Sequence, residues 1–331
     1  MAGIPEVMDA AYVEALGPAD AIHYGPLPVP RIGPTDVLVA VHTVTVDPVD
    51  TYVRSGAYAT PTPFPFIVGR DLVGNVAAVG EGVAGHVVGD AVWRNSLGHG
   101  GRQGSFAQYA VVPADRLYPL PDGVDPVRVV GVAHPAATAW LGLFRHARLG
   151  LGDAVYIGGG AGNVGDAAVR LACAAGARVI ASASGNGLAR AREAGAAVVV
   201  DYRDPGMVEQ IRAAAPDGLD VYWDTSGHHD IDVAVALLAR GGRLLLTAAG
   251  PQARVPLPVA RVYTHDVTVA GFAISNAAVT DLAAAATVLN QKLADRTLTA
   301  RIADTMPLAR AAEAHHRVEK GGVRGRLILM P

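Results

Sequence analysis

Short apolar runs, broken again and again by glycine and proline, fill the first third of the chain. Four of them stand out, namely Val37–Val41, Val73–Val79, Val87–Trp93 and Phe106–Val112. Each run has the length of a strand, and strands interrupted this often by turn residues are typical of a barrel or a sandwich. The pattern therefore predicts an all-β domain over residues 1–121.

The pattern changes near residues 121–123, where short apolar runs begin to alternate with alanine-rich segments of helical length. The predicted strands are 154–157, 178–183, 197–200, 221–223 and 243–247, and the predicted helices are 164–175, 188–194, 207–214 and 231–238. This alternation favours a parallel, doubly wound sheet over residues 122–272. A helix at 279–293 and a strand at 326–329 remain, and residues 273–331 are predicted to return to the first domain.

Length and composition agree with two globular domains. The chain has 331 residues, of which 51% are hydrophobic and 17% charged, and its net charge is -3. This length exceeds that of a chain folded around one ordinary hydrophobic core. The net charge gives no reason to expect nucleic acid or a membrane as a partner. Cys173 is the single cysteine, the N-terminus does not resemble a signal peptide, and no uninterrupted apolar stretch reaches about 20 residues. We therefore expect a soluble, cytoplasmic protein.

The strongest local motif is a glycine-rich turn at residues 154–165. Gly160, Gly162 and Gly165 form G-x-G-x-x-G, directly after an apolar strand and at the start of a helix that opens with Asn163 and Val164. In this context the glycines allow a tight turn, close approach of a pyrophosphate and close packing of helix on strand. The helix N-terminus then offers free N–H groups to the phosphates. The motif predicts a dinucleotide site.

The following strand indicates which dinucleotide binds. An NAD site usually places Asp or Glu about 20 residues after the glycine turn, on the ribose 2′-hydroxyl. No acidic residue occurs here between Arg178 and Arg192, whereas Ser182 and Ser184 can donate to a 2′-phosphate. Arg178, Arg190 or Arg192 are candidates for additional positive charge. NADPH is therefore the predicted cofactor.

The sequence offers little to a metal ion. Zinc sites need three or four cysteine, histidine or carboxylate ligands at suitable spacing. One cysteine excludes a four-cysteine site, and the adjacent pairs His228-His229 and His315-His316 are poor chelates because neighbouring side chains point apart. We predict no metal, so that the nicotinamide itself would carry the chemistry.

Motifs along nearly the whole chain resemble one known family. They are Val46-Asp-Pro-Val-Asp-Thr-Tyr-Val-Arg-Ser-Gly56, the glycine-rich segment 69–80, Ala136-Ala-Thr-Ala-Trp140 and Gly325-Arg-Leu-Ile-Leu329. Together they are similar to the medium-chain dehydrogenase/reductase superfamily, in its zinc-free quinone oxidoreductase (zeta-crystallin-like) branch. The resemblance implies an α/β protein with a GroES-like β-barrel catalytic domain, a Rossmann cofactor domain and a homodimeric assembly.

The resemblance also implies roles for single residues. Tyr52 would lie beside the substrate and the nicotinamide, and Asp47 would share the catalytic site. Further residues expected to bind the cofactor are Thr138, Tyr202, Gly250, Phe272 and Arg326, in addition to the glycine turn, Ser182 and Ser184.

The chain departs from the family pattern at functional positions. Asp47 stands where the branch has asparagine, and Gly187 stands where it has the lysine of the 2′-phosphate site. Zinc alcohol dehydrogenases carry a ligand histidine where Arg70 stands and a ligand cysteine near Asp47. The first two departures are expected to affect substrate preference and cofactor selectivity.

Three functions remain open from the sequence. The first is NADPH-dependent reduction of a quinone or an activated C=C bond, with a small-molecule electron acceptor as the partner. The second is a pathway-specific enoyl reductase that acts on a thioester or a natural-product intermediate. The third, of another class, is a non-enzymatic NADPH-binding or RNA-binding role, for which the chain shows no basic stripe.

Overall fold

The structure is a computed structural model that describes residues 3–250 and 252–331. It divides into two compact units. The first, which we call the barrel unit, contains the residues up to 134 together with 282–331. The second, which we call the Rossmann unit, contains residues 135–281. The C-terminal segment therefore groups with the N-terminal part of the chain.

The barrel unit is built mainly of strands. Its strands are β1 (Val7–Val13), β2 (His23–Pro28), β3 (Asp36–Thr45), β4 (Phe66–Ile67), β5 (Asp71–Val79), β6 (Ala91–Asn95), β7 (Tyr109–Pro113), β8 (Tyr118–Pro119), β15 (Ile302–Pro307) and β16 (Arg326–Met330). Its helices are α1 (Pro48–Ser55) and α9 (Ala311–Lys320), and it includes most of α2 (Pro126–Trp140) and of α8 (Val279–Ala294).

Strand β3 is the central strand of this unit. It pairs with β5, β7 and β16 within a seven-stranded sheet, while β2, β1 and β4 form a second sheet of three strands. Valines and other β-branched residues alternate along β3, and most of them are buried. Such side chains fit a pleated surface that packs on both faces, which explains why the strand continues beyond the predicted end at Val41.

The Rossmann unit alternates strands and helices. Its strands are β9 (Ala154–Gly158), β10 (Arg178–Ala183), β11 (Val198–Asp201), β12 (Leu219–Asp224), β13 (Leu238–Leu246) and β14 (Thr268–Gly271). Its helices are α3 (Asn163–Ala174), α4 (Gly187–Glu193), α5 (Met207–Ala214), α6 (Ile231–Leu237) and α7 (Val259–Thr264).

These six strands are all parallel, in the order β11-β10-β9-β12-β13-β14. The strand order reverses between β9 and β12, and in open α/β sheets ligands bind outside the carboxyl ends of the strands at such a switch point. The glycine-rich turn follows β9 directly, so the predicted dinucleotide motif stands at this point of the sheet.

The predicted α/β class and the predicted Rossmann sheet are confirmed. Eight of the nine elements predicted between 154 and 247 agree with the structure to within two residues at each end. The exception is β13, which begins at Leu238 instead of Arg243 because the strand runs through Gly241 and Gly242. In the barrel unit, the helix α1 was missed because its buried face mixes Asp50 and Arg54 with Val53, so its apolar period is too short to stand out.

One helical stretch, residues 126–146, is long and apolar enough by composition to cross a membrane. It consists of α2 and a π-helical continuation, Leu141–His146. However, 72% of its most apolar window is buried inside the protein. Core helices of globular proteins have the same properties, so the stretch is weak evidence for a membrane span.

Candidate functional site

The glycine turn of the Rossmann unit depends on several glycines in different ways. The left-handed backbone lies at Gly159 (φ +69°), not at Gly160 as the motif suggests. A Cβ on Gly160 would lie 2.8 Å from the Cβ of Ala181, and one on Gly165 would lie 2.1 Å from the carbonyl oxygen of Gly159. Since such approaches are too close for any side chain, helix α3 can pack against the turn only with glycine at 165.

Helix α3 begins immediately after this turn. Gly162 is its N-cap and contributes no side chain, and Asn163 and Val164 are its first residues. Gly162 and Asn163 are exposed. The first amides of a helix have no partner within it and point along its axis, so this N-terminus can receive the pyrophosphate of a dinucleotide.

The carboxyl end of β10 carries a small polar group next to the turn. The Ser184 hydroxyl donates a hydrogen bond to the Tyr202 hydroxyl at 2.6 Å. The guanidinium of Arg203 lies 5.8 Å from the centre of the Tyr202 ring, and both Tyr202 and Arg203 are exposed. Two hydroxyls and a cation that face solvent at this place form a suitable environment for a phosphate group.

The other residues suggested for the 2′-phosphate lie elsewhere. Ser182 is buried, and its hydroxyl accepts a hydrogen bond from Tyr156 at 2.8 Å. Arg190 donates to the carbonyl oxygen of Ala161 at 2.6 Å, which ties helix α4 to the glycine turn. Arg178 starts β10, at the opposite end of the strand from the turn. Arg203 is the arginine whose guanidinium lies against the Tyr202 ring, and sequence reasoning missed it.

The remaining predicted cofactor residues of this unit are spread over its carboxyl-end loops and α2. Thr138 is half-buried on α2, and Gly250 is exposed after β13. Phe272 follows β14 and stacks on His146, with ring centroids 4.5 Å apart. Their contacts with a cofactor stay predictions. At the end of β12, Asp224 accepts hydrogen bonds from the backbone and the hydroxyl of Ser226, which shapes the loop beside β9.

In the barrel unit, helix α1 presents Tyr52 to solvent. Asp47 precedes the helix, Pro48 is its first residue, and Gly56 ends it with φ +81°. The backbone N–H of Asp47 donates to the Asp50 carboxylate at 2.8 Å, as in a capping box. The helix therefore starts and stops at fixed residues, and it leaves the side chain of Tyr52 46% exposed.

The opposite face of α1 contributes to a group of six buried charged side chains in the barrel unit. We call this group the buried ion cluster, and its members are Asp47, Asp50, Arg70, Asp71, His134 and Arg326. Arg326 Nη2 donates to Asp47 Oδ1 at 2.6 Å. His134 Nδ1 lies 3.4 Å from Asp71 Oδ1 and 3.8 Å from Asp47 Oδ2. Arg70 Nε lies 3.7 Å from Asp50 Oδ1.

The cluster changes the titration of its members. Burial raises the pKa of Asp50 to about 8 and that of Asp71 to about 7, and the nearby Asp47 charge adds to both effects. Burial also acts to raise the pKa of Asp47, but Arg326 and His134 together lower it below its ordinary value. For His134, burial lowers the pKa, but Asp47 and Asp71 outweigh burial and raise it to about 9. Asp47 is therefore the carboxylate of the cluster whose ionised form the positive charges of Arg326 and His134 stabilise.

Two sequence predictions fall in this cluster. Asp47, predicted to be catalytic, and Arg326, predicted to bind the cofactor, are both buried and hydrogen-bonded to each other. Sequence reasoning missed the contributions of Asp50, Asp71 and His134. No local signal marks them, because they are separated along the chain and meet only through the pairing of β3, β5 and β16 and the packing of α2.

Asp47, Asp71 and His134 also form a group that could hold a metal ion, since their ligand atoms lie within 4.8 Å of one another. Their present partners oppose this. His134 Nδ1 lies 3.0 Å from the carbonyl oxygen of Asn95, which can only accept, so that nitrogen carries a proton. Asp47 is occupied by Arg326, and a second guanidinium, that of Arg70, belongs to the same cluster. These residues, as arranged, do not fit a cation.

Comparisons with known proteins agree with both units. The family model for the alcohol dehydrogenase GroES-like domain matches residues 33–122, and that for zinc-binding dehydrogenase matches residues 163–290. The quinone oxidoreductase of Sus scrofa is 30% identical over 307 residues, which are 92% of this chain and 91% of that protein.

Solved structures share the fold over almost the whole chain. An NAD-dependent alcohol dehydrogenase has a TM-score of 0.87 at 27% identity and covers 98% of this chain and 100% of its own. A mycobacterial protein complexed with NADPH has a TM-score of 0.84 at 26% identity, with the same coverage of both chains. The chain is therefore an oxidoreductase that belongs to the medium-chain dehydrogenase/reductase superfamily, in its quinone oxidoreductase branch.

Proposed function

We propose that this oxidoreductase uses NADPH to reduce quinones or other electron-poor acceptors such as enones, and that it does so without a metal ion. The observation that carries the proposal is the polar group at the end of β10. Ser184, Tyr202 and Arg203 stand there with two hydroxyls and a cation, and no carboxylate occurs between Arg178 and Arg192 to bind a ribose 2′-hydroxyl.

The cofactor would be held at two places in the Rossmann unit. The N-terminus of α3 would bind the pyrophosphate, which Gly162 allows to approach because it adds no side chain. Ser184, Tyr202 and Arg203 would bind the 2′-phosphate, whose negative charge Arg203 would balance. The lysine that the family carries at this site is replaced by Gly187, which is buried and has an alanine methyl 3.0 Å from the position of its absent Cβ.

The bound nicotinamide would supply the hydride. Tyr52 would be the residue of the barrel unit that orients the acceptor, since it is exposed on a helix with fixed ends. Its hydroxyl would hydrogen-bond the acceptor oxygen and could pass a proton to it. Asp47 is buried, so it would act by holding α1 in place and not by touching the acceptor.

The direct test measures oxidation of NADPH and NADH by the purified protein, with a benzoquinone, an enone and an enoyl thioester as acceptors. Turnover with NADPH and quinone, and slower turnover with NADH, is the expected result. Absence of NADPH oxidation with every quinone and enone tested would contradict the proposal. Metal content of the same preparation, measured by elemental analysis, should stay far below one ion per chain.

Two other functions are separated by the same assay. A pathway-specific enoyl reductase would use the same cofactor site, and it would turn over the thioester while leaving simple quinones unreduced. A non-enzymatic role would give NADPH binding without turnover. An RNA-binding role has little support in a chain of net charge -3, and a salt-sensitive mobility shift with RNA would revive it.

We also propose that the protein is a homodimer that forms at one edge of the Rossmann sheet. Strand β14 forms one edge of the sheet, and its Val269 is exposed. Val259 and Tyr263 on the adjacent helix α7 are 63% and 69% exposed. An uncovered apolar edge of this kind can pair with another strand, and we propose that a second copy covers it. Light scattering should give twice the chain mass, and a Val269→Lys, Tyr263→Lys double variant should give the monomer.

A further inference from the structure

Three arginines come together at the end of strand β6 in the barrel unit. Arg94 lies in the last turn of this strand, and Arg102 lies in the glycine-rich loop that follows it. Arg116 belongs to the turn before β8, which reaches the same place because β6 pairs with β8. Arg94 Nη1 donates to the carbonyl oxygen of Arg116 at 3.0 Å, and its Nη2 donates to that of Ser96 at 2.9 Å. We call Arg94, Arg102 and Arg116 the arginine group.

No ion pair balances the charge of the arginine group within the part of the chain that the structure describes. Arg94 is fully buried, Arg102 and Arg116 are half-buried, and the Nε atoms of Arg94 and Arg102 are buried without a hydrogen-bond partner among the described residues. Asp115 is the only acidic residue of the loop and the turn, and it is exposed. Buried guanidiniums in this state are unfavourable unless a negative group joins them.

The electrostatics of the arginine group agree with this geometry. Burial, together with the charges of Arg116 and Arg102, lowers the pKa of Arg94 to about 10, against the opposing effects of Tyr118 and Asp71. Burial and neighbouring guanidiniums also lower the pKa of Arg102. The group therefore carries an excess of positive charge that a bound anion would relieve.

The loop that carries Arg102 lies beside the chain segment that follows helix α1. The ring of His99 in this loop lies 5.8 Å from that of Tyr58, and the N–H of the next loop residue donates to Thr60 Oγ1 at 2.9 Å. The N–H of Tyr58 in turn donates to the carbonyl oxygen of Tyr52 at 3.0 Å. A mostly apolar cavity of about 430 Å³ has Tyr58 and Thr60 in its wall. Tyr52, the cavity and the loop are therefore neighbours within one unit.

We propose that the arginine group binds an acidic group of the electron acceptor, a carboxylate or a phosphate, while Tyr52 orients the carbonyl of the same molecule. Guanidiniums recognise both of these oxyanions through paired N–H donors. Arg102 and Arg116 contact the anion, and the buried Arg94 holds the turn of Arg116 in place through its hydrogen bond to the carbonyl oxygen. The inference rests on the function proposed above and narrows the acceptors to acidic enones or quinones.

The experiment compares two acceptors that share one activated C=C bond, trans-3-benzoylacrylate and its neutral methyl ester. NADPH supplies a hydride and water a proton, so that each product is the saturated ketone. In Arg102→Gln, Arg116→Gln the ratio of kcat/KM for the acid to that for the ester should fall roughly 25-fold, since each partly exposed charge contributes up to about a factor of five. Arg31→Gln, Arg324→Gln removes two exposed charges of the same unit, and this matched control should keep the wild-type ratio.

An unchanged ratio in Arg102→Gln, Arg116→Gln overturns the inference. If that variant is unstable, Arg102→Gln alone replaces it and should lower the ratio about five-fold. Calorimetry with inorganic phosphate separates the sources of the anion. Phosphate binding that needs both arginines, combined with an unchanged ratio, would assign the site to a free anion and also overturn the inference.

Failure of the proposed function has a different signature. A wild-type protein that reduces neither acceptor, nor any other quinone or enone, refutes that function. Calorimetric titration of benzoylacrylate then decides the present inference by itself. Binding to the wild type that Arg102→Gln, Arg116→Gln loses would support it, whereas equal binding to both proteins, or binding to neither, would overturn it.

Discussion

The glycine turn of the Rossmann unit and the buried ion cluster of the barrel unit are assembled in opposite ways. The turn occupies a continuous stretch, residues 158–165, and each of its constraints lies within that stretch or on a neighbouring strand. The cluster draws its six members from positions between 47 and 326, and its ion pairs Arg70–Asp50, His134–Asp71 and Arg326–Asp47 join residues far apart along the chain. The first is a property of local sequence, and the second exists only when the unit is folded.

This difference predicts different consequences of substitution. A change in the turn should impair cofactor binding and leave the barrel unit intact. A change in the cluster should lower the stability of the barrel unit, because a buried charge that loses its partner has no solvent to replace it. Four experiments test this contrast, the first with the largest expected effect.

Removal of Arg326 should have the largest effect on stability. Arg326→Met leaves Asp47 buried beside fewer cations, and breaking a buried pair typically costs about 3–5 kcal/mol of unfolding free energy. Urea denaturation of Arg326→Met, Asp47→Asn and the double variant forms a cycle in which the double variant should lose less than the sum of the two. The exposed pair of Arg240 and Asp266, with side chains 80% and 60% exposed, is the control and should couple by under about 1 kcal/mol. Additive losses in the first cycle would contradict the assigned interaction.

A side chain at position 165 should nearly abolish cofactor binding. The Cβ of Gly165→Ala would lie 2.1 Å from the Gly159 oxygen, so α3 must move away from the turn. We expect the dissociation constant for NADPH to rise about 100-fold, which corresponds to a loss of roughly 2.7 kcal/mol of binding free energy. Calorimetric titration measures it. Gly25→Ala is the control, since a Cβ there meets nothing within 4 Å. Unchanged affinity in Gly165→Ala would show that the pyrophosphate does not bind at this turn.

Stability should depend on pH through His134. Burial lowers the pKa of this imidazole, but Asp47 and Asp71 raise it to about 9 in the folded state, against about 6.5 in an unfolded chain. The protonated form therefore stabilises the fold fully below pH 6.5, and this contribution is lost as the pH rises to 9. The contribution of His134 to the slope should reach at most about 1.4 kcal/mol per pH unit, and Asp50 and Asp71, whose pKa values are raised to about 8 and about 7, add slopes of the same sign. In a His134→Gln variant, the unfolding free energy should fall less steeply with pH between 6.5 and 9. A slope equal to that of the wild type would assign the effect to another group.

Removal of the Arg203 charge should have a smaller effect, on the preference for NADPH over NADH. Arg203→Ser removes the cation beside Tyr202 and leaves the turn unchanged. We expect about a 10-fold loss in kcat/KM with NADPH and little change with NADH, since one exposed charge contributes on the order of 1 kcal/mol. Arg178→Ser, at the opposite end of β10 from the glycine turn, is the matched control. An equal loss with both nucleotides would place Arg203 outside the 2′-phosphate site.

The same contrast explains what could be read from the sequence. The Rossmann sheet and the glycine motif were predictable because strand and helix periods and G-x-G-x-x-G are local patterns. The left-handed backbone of Gly159 was not predicted, because the motif does not show which of its glycines adopts a positive φ. Arg203 was missed because its stacking on Tyr202 depends on the turn after β11, and His134 because only folding brings it to Asp47 and Asp71.

The inward-facing charges of α1 also bear on how the chain reaches its native state. An eight-residue helix is too short to persist alone in water, and its buried face carries Asp50 and Arg54 beside Val53, so apolar contacts alone hold it weakly. Its docking must wait until the strand β16 and the segment before β5 have delivered Arg326 and Arg70. We therefore expect the amides of α1 to gain protection last in pulse-labelling of refolding protein, so that Tyr52 reaches its place only when the surrounding strands are complete.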